Sequence, residues 1–277
     1  MLETCRTGRS HGFRGGGALV RQSLRALLGE YDPAPFRVLQ GQPESPYIII
    51  CDHAGRSIPR ALGSLGLSEA DLQRHIAWDI GSAALARRLA NELGAWVILQ
   101  EYSRLVIDCN RPLTSADSIV QKSEDTVVPG NLAISPEQAE ARAHCIFGPY
   151  HARISRELTE RASRGQASIL IFLHTFTPVF RGVTRPWHAG VLRNRDGRLA
   201  LPLLRALRAE PLLVVGDNEP YAASEQTDYG LVEHGERRGL PHVELEVRQD
   251  LLADVDGQEA WAVRLARALR DAPTQSN

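Results

Sequence analysis

The chain predicts an α/β fold: a mixed, mainly parallel sheet flanked by helices on both faces. Two patterns carry that expectation. Short, continuously apolar runs read as strands covered on both sides, and longer segments of helical period stand between them. From Pro46 onward there is neither an internal repeat nor a linker long enough to divide the chain, which favours one domain over two.

Taken in order, Met1 to about Gly17 mixes Arg, Gly and Ser, including the run GFRGGG, and offers too little apolar surface to offset the entropy of ordering. Residues 1–17 are expected to be a disordered Arg/Gly-rich tail and 18–277 a single domain. YIIICD is the first expected strand, and a helix is expected over Ser68 to Trp78. Ile80, Ala84, Leu85, Leu89 and Leu93 then form an amphipathic stripe that ends beside Gly94, a helix with its glycine stop. WVILQ and RLVIDC read as strands. Ser135-Pro136-Glu137-Gln138 supplies an N-cap, a proline at the first helical position and a glutamine able to close a capping box. The helix that begins there is expected to kink or split at Gly148-Pro149. SILIFLH, AGVLR, LLVVG and HVELEV complete the strands, with helices expected over Leu199 to Arg208, Tyr229 to Arg238 and Gln258 to Leu269.

With 277 residues, 43% of them hydrophobic, the chain can bury a large core, and a formal charge of -1 gives it no field to hold a phosphate polymer or an anionic membrane. Nucleic acid and membrane are therefore not expected as partners, and cytoplasm is the expected location, since no apolar run reaches membrane-spanning length. Cys5, Cys51, Cys109 and Cys145 form no C-x-x-C pair, and Cys51 and Cys109 lie in apolar runs as buried thiols. Lys122 is the only lysine and sits in the polar stretch QKSEDT, a poor setting for a Schiff-base or P-loop lysine. G-x-S-x-G is absent, and so is G-x-G-x-x-G after a strand, which removes the legible part of a serine hydrolase or dinucleotide enzyme.

Ligands of open α/β sheets bind beyond the carboxyl ends of strands, so polar residues that end apolar runs come first. YIIICDHAG delivers Asp52 and His53, SILIFLHTFTP delivers His174, and HVELEVRQD carries Glu244 and Glu246 along one strand. Two histidines and a glutamate supply what a hydrolytic metal site needs, namely ligands and a carboxylate to take a proton from water. The alternative for any one of them is a hydrogen-bonded structural residue. His144 and His151, seven apart, read as solvated. In SRLVIDCNRP, Asn110 and Arg111 either fork onto a substrate carboxylate or, with Asp108, knit the fold. Asn218 and Tyr221 in DNEPY follow an expected strand, where turn chemistry is the competing account. RPWH, with Arg185, Trp187 and His188, lines a pocket or makes a loop. Arg248, two places after Glu246, is expected on the same face, to orient that glutamate or bind substrate.

Taken together and in order, CDHAGRSIP, RHIAWDIG, YSRLVIDCNRP, HTFTPV, RPWHAGVL, GDNEPY and VELEVRQDL resemble the N-formylglutamate amidohydrolase family, from about Pro33 to Leu252. The resemblance implies a fold similar to zinc carboxypeptidases and aspartoacylase-like deacylases. It also implies hydrolysis of an N-formyl or other N-acyl amino acid, N-formyl-L-glutamate first, with a divalent metal, zinc foremost, as cofactor. It makes His53 and His174 metal ligands and Glu246 the group that activates water, and places Asn110-Arg111 on a substrate carboxylate. Arg104 is expected to stabilise the oxyanion. Related peptidases have a ligand glutamate three residues after the first histidine, where this chain has Arg56, so Asp79 in AWDIG is expected as the third ligand.

Overall fold

The computed structural model describes residues 27–272, so the expected disordered tail lies outside the described residues. The strands are β1 (Phe36–Leu39), β2 (Tyr47–Cys51), β3 (Trp96–Gln100), β4 (Lys122–Ser123), β5 (Thr126–Val127), β6 (Ile169–Phe176), β7 (Val179–Phe180), β8 (Val183–Thr184), β9 (Ala189–Leu192), β10 (Val215–Asp217) and β11 (His242–Arg248). Seven of them make one sheet in the order β1-β3-β2-β6-β11-β9-β10. Its centre, β3-β2-β6-β11, is parallel, while β1 on β3 and β9 on β11 are antiparallel and β10 on β9 is parallel. The mixed, mainly parallel sheet is therefore the one the sequence predicts. β4-β5 and β7-β8 are separate two-stranded hairpins.

Helices α1 (Glu69–Leu72), α2 (Ser82–Leu93), α3 (Pro136–Arg142), α4 (Gly148–Ser163), α5 (Ala200–Arg208) and α6 (Val255–Asp271) cover the main sheet. Alternation along the strands divides the core in two. Ile49, Cys51, Ile171, Leu173 and Leu245 pack with Leu85 and Leu89 of α2, Leu203 of α5 and Leu265 of α6. Ile48, Ile50, Leu170 and Phe172 face the other way, against Ile154 and Leu158 of α4. Each fully buried Leu or Ile contributes roughly 1.5–3 kcal/mol, and a one-residue slip would turn each of these strands over, so the register is strongly fixed. That register also fixes the site. Phe172 pairs with Ile50 and His174 with Glu246, so Asp52, His174, Glu244 and Glu246 continue the Phe172 face in polar form at the carboxyl edge.

Local signals explain most helix ends. Gly94 takes a left-handed φ of 62° as the C-cap of α2, and Ser135 with Gln138 forms the expected capping box of α3. A π-helical turn, Ala143–Phe147, joins α3 to α4, which starts at Gly148; the backbone stays right-handed helical through Gly148, so the irregularity is a π-turn just ahead of the Gly-Pro pair and not a break at it.

Four other expectations need correction. RLVIDC is not a strand. Leu105, Val106 and Ile107 are buried in irregular backbone, and side chains replace a sheet neighbour: Asn131 donates to the Leu105 carbonyl and Arg142 to that of Val106. The helix expected over Ser68 to Trp78 stops at Leu72, where the backbone passes into tighter turns, Arg74 N–H to the Asp71 carbonyl and Ala77 N–H to the Arg74 carbonyl, and the carbonyls of His75 and Ala77 accept from the side chains of Arg104 and Ser103. LLVVG contributes only Val215 and Gly216 to β10, and Leu212 is 93% exposed. His151 is buried between the Cys109 carbonyl and His234, while His144 is exposed as expected. β1, read as no element in the sequence, is an edge strand whose Phe36 and Val38 reach one core cluster and Leu39 the other.

Candidate active site

Three segments meet beyond the carboxyl end of the sheet. His53 leaves β2 on a loop that returns past the Glu101 backbone, so close that a Cβ on Gly55 would stand 2.2 Å from the Glu101 carbonyl oxygen. Only glycine fits there, which accounts for its place in CDHAG. The His53 carbonyl accepts from the Asp79 N–H at 2.9 Å, tying in a segment distant in sequence. His174 arrives from β6. The result is a compact triangle: His53 Nδ1 to His174 Nδ1 is 3.2 Å, His174 Nδ1 to Asp79 Oδ2 is 3.1 Å, and His53 Nδ1 to Asp79 Oδ2 is 3.5 Å.

This buried His-Asp-His group is able to hold a metal ion. Ligand atoms about 2.0–2.1 Å from a tetrahedral ion stand about 3.3 Å from one another, so all three edges match that spacing. The ring tautomers agree. His53 Nε2 donates to Asp108 Oδ1 at 2.7 Å and His174 Nε2 faces Asp52 Oδ2 at 3.5 Å, which leaves both Nδ1 lone pairs aimed into the triangle. Asp52 Oδ1 and Oδ2, His174 Nε2 and Glu246 Oε2 are buried without a hydrogen-bond partner, as expected of groups waiting on a further charge.

The charges form a layered network. Burial alone would raise the Asp79 carboxyl, but Arg104, His53 and His174 hold it well below the usual range. Arg104 Nη2 lies 2.6 Å from Asp79 Oδ1 and also donates to the His75 carbonyl. Against the cost of burial, Asp52, Asp79 and Glu244 raise His174 well above the usual histidine range, and His53 is raised mainly by Asp108. Burial pushes Glu246 up to about 8, only partly opposed by the His174 charge, and pushes Glu244 well above the usual range, helped by Asp228. Without a metal, the protein thus carries a neutral glutamic acid beside the triangle at pH 7.

If Asp52 holds the His174 ring through Nε2, Asp52→Asn should weaken metal binding about 10- to 100-fold. Competition with a chromogenic chelator measures this directly, and unchanged affinity would remove Asp52 from the site.

The triangle opens into a cavity of about 490 Å³. Of the residues the sequence singles out, His53, Asp79, Arg104, Asn110, Arg111, His174, Tyr221 and Glu246 line it. Asn110 Nδ2 donates to Asp228 Oδ1 at 3.2 Å, and Arg111 Nη1 donates to the Thr227 carbonyl. Two expected substrate contacts do not reach it. Asn218 has a left-handed φ of 52° and its side-chain oxygen accepts from the Arg193 N–H, so turn chemistry is its work. Arg248 is spent on Asp250 and on the carbonyls of Arg185 and Trp187. Arg56 lies over the Trp78 ring instead of at the triangle. Sequence reasoning missed His75, Asp228 and the β4-β5 hairpin, which brings Lys122 to the cavity wall. Asp108 was visible in IDCNRP, but nothing local told its partnership with His53. A larger cleft, about 680 Å³ and partly walled by Arg195, Asp196 and Arg237, is not a rival site, because its Arg195-Glu225, Arg198-Asp196 and Arg237-Glu233 charges already pair.

Fold and site together have the make-up of a hydrolase working at the carboxyl edge of a mixed sheet. The family model for N-formylglutamate amidohydrolase matches residues 45–253. The chain belongs to the N-formylglutamate amidohydrolase family and is an amidohydrolase of that family. Among solved structures, it is similar to a gene product of Agrobacterium tumefaciens at 34% identity, with 89% of this chain and 97% of that one covered and a TM-score of 0.86. It also shares its fold with an N-formylglutamate amidohydrolase from Ralstonia eutropha, at 20% identity, 87% and 97% coverage and a TM-score of 0.64. No curated protein gives a match. Among the described residues, no helix is long and apolar enough to cross a membrane.

Proposed function

We propose that the protein hydrolyses the amide bond of an N-formyl or N-acyl amino acid, N-formyl-L-glutamate first, giving L-glutamate and formate. The observation that carries this reading is the pairing of Glu246 with His174 across β11 and β6, which sets a buried carboxyl beside a triangle of ligand spacing. His53, Asp79 and His174 would hold a divalent metal, zinc by its tetrahedral spacing and nitrogen-oxygen donor set. When bound, such an ion acidifies water and polarises a carbonyl.

The chain's own residues then have separate tasks. Asn110 and Arg111 take the substrate's α-carboxylate, the guanidinium supplying two parallel donors. Arg104 keeps Asp79 in place through Nη2, and its Nη1, 3.4 Å from His53 Nδ1, faces the triangle as the donor for the carbonyl oxygen as charge develops there. Glu246, ionised in the working state, takes a proton from water as the C–O bond forms and gives it to the nitrogen as the C–N bond breaks. An amine of high pKa leaves poorly without that proton. One water is consumed, and formate and the free amino acid are released.

Formate release from a panel of N-formyl and N-acetyl amino acids, assayed with zinc, cobalt and manganese, tests the reading. Turnover of N-formyl amino acids that needs added metal is the expected result. Metal-saturated protein that cleaves nothing in the panel would overturn it.

A further inference from the structure

We propose that His151, backed by His234, is a positioning residue that sets the Asn110-Arg111 station for the substrate's α-carboxylate; this rests on the amidohydrolase reading above and on that station. The station stands on irregular backbone, where neither a sheet ladder nor a helical turn fixes it. Its leading peptide unit, Cys109 to Asn110, is held from two sides instead. The Asn110 N–H donates to Asp108 Oδ1 at 2.8 Å, and the same oxygen takes His53 Nε2 at 2.7 Å. The carbonyl of that unit points the other way, as it must in a trans peptide, and meets His151 Nε2 at 2.9 Å. It has no other donor among the described residues. With both ends tied, the peptide plane is fixed, and with it the directions in which Asn110 and Arg111 leave the backbone. One side of the plane answers to the metal triangle and the other to His151.

The two rings have a defined order. Burial pushes His151 down to about 4 and His234 down to about 3, so both are neutral at pH 7 and each has one N–H. A carbonyl only accepts, so the proton of His151 is on Nε2, and its Nδ1, 3.0 Å from His234 Nε2, accepts in turn. His234 therefore donates to His151, and His151 to Cys109. The His151 ring lies 4.3 Å from Phe147 and 4.7 Å from Tyr229, an aromatic nest in which an apolar ring would carry no desolvation cost. Two polar rings there need a reason, and the carbonyl supplies it. Both also stand at the two π-helical turns among the described residues: His234 is within Leu231–Glu236, and His151 follows Ala143–Phe147. Such turns are rare and gather at functional sites.

The test measures kcat and KM of the zinc-loaded protein, His151→Phe and His151→Gln with N-formyl-L-glutamate and with N-formyl-L-isoglutamine, in which the α-carboxylate is an amide. Phe keeps a ring and loses the donor, whereas the amide nitrogen of Gln can again reach the carbonyl. In His151→Phe, KM for N-formyl-L-glutamate is expected to rise roughly 10-fold while kcat changes less, and KM for the α-amide to stay as it was. His151→Gln should restore most of the loss. Equal losses on both substrates, a fall in kcat alone, or no change overturns the assignment. Calorimetric binding of L-glutamate against L-isoglutamine gives a second readout that needs no turnover. Should the unaltered protein cleave no N-formyl amino acid, the amidohydrolase reading fails and binding alone decides. L-glutamate held more weakly by His151→Phe and recovered in His151→Gln would still support the positioning role, and equal or absent binding would overturn it. Far-UV circular dichroism and zinc content identify a misfolded variant. If His151→Phe is one, His234→Phe takes its place, because it strips His151 Nδ1 of its donor: a KM rise confined to N-formyl-L-glutamate supports the pair, and unchanged constants overturn it.

Discussion

Glu246→Gln is expected to bind metal as the unaltered protein does and to turn over substrate roughly 10²- to 10⁴-fold more slowly, the range for removal of a general base. Gln keeps the shape of the side chain but can neither take a proton from water nor return one to nitrogen. It also leaves the resting charge almost untouched. Burial pushes Glu246 up to about 8, so at pH 7 the metal-free protein already carries a neutral group there. The variant should therefore fold normally at neutral pH, and lost activity will reflect chemistry. For the ionised form to be the working one, a bound dication must draw that acidity down. The kcat/KM profile of the loaded enzyme should then rise with pH through a value below 8, and the Gln variant should lose that limb. Turnover undiminished in Glu246→Gln would remove the residue from the mechanism.

Much of this arrangement is legible in the sequence for a physical reason. YIIIC and ILIFL are apolar without alternation because both faces of β2 and β6 are covered by helices, and such runs advertise central strands. The polar residues that end them fall on the site because the sheet is parallel and its carboxyl edge is where backbone order leaves room for a ligand. The same reasoning misleads for RLVIDC. Its apolar residues are just as buried, but Asn131 and Arg142, far along the chain, satisfy its carbonyls, and periodicity carries no record of such donors. Asp79 could not be derived from spacing either, since a backbone hydrogen bond to His53 brings it in. His151 illustrates the remaining limit. Read with His144 it is one solvated histidine of two, and only its burial against the Cys109 carbonyl distinguishes it.

Removing the metal is expected to end turnover and, more revealingly, to change how stability responds to pH. Four groups at the site have folded pKa values above their ordinary ones: His53, His174, Glu244 and Glu246. Each contributes stability that is fully present below its ordinary pKa and is lost as pH rises through its folded value. His75, pushed down to about 3 by burial and Arg104, and the buried His151 and His234, pushed down to about 4 and about 3, act in the opposite sense, losing stability as pH falls below the ordinary histidine range. Above pH 7 those three are neutral whether the chain is folded or not, so between pH 7 and about pH 8.5 the first group governs. Metal-free protein should become less stable across that window, and Glu246→Gln should flatten the slope. Metal binding has the reverse dependence, because the ligands must shed their protons to take an ion, so affinity rises with pH. An ion at a hundredfold excess over its dissociation constant adds about 2.7 kcal/mol, and more as that constant falls. The gap between urea midpoints of zinc-loaded and chelated protein should thus widen from pH 7 to pH 8.5 and vanish in His53→Ala and His174→Ala, which should also purify without metal. A gap independent of pH, or equal metal content in all three proteins, would show that the His53-Asp79-His174 triangle is not where the ion binds.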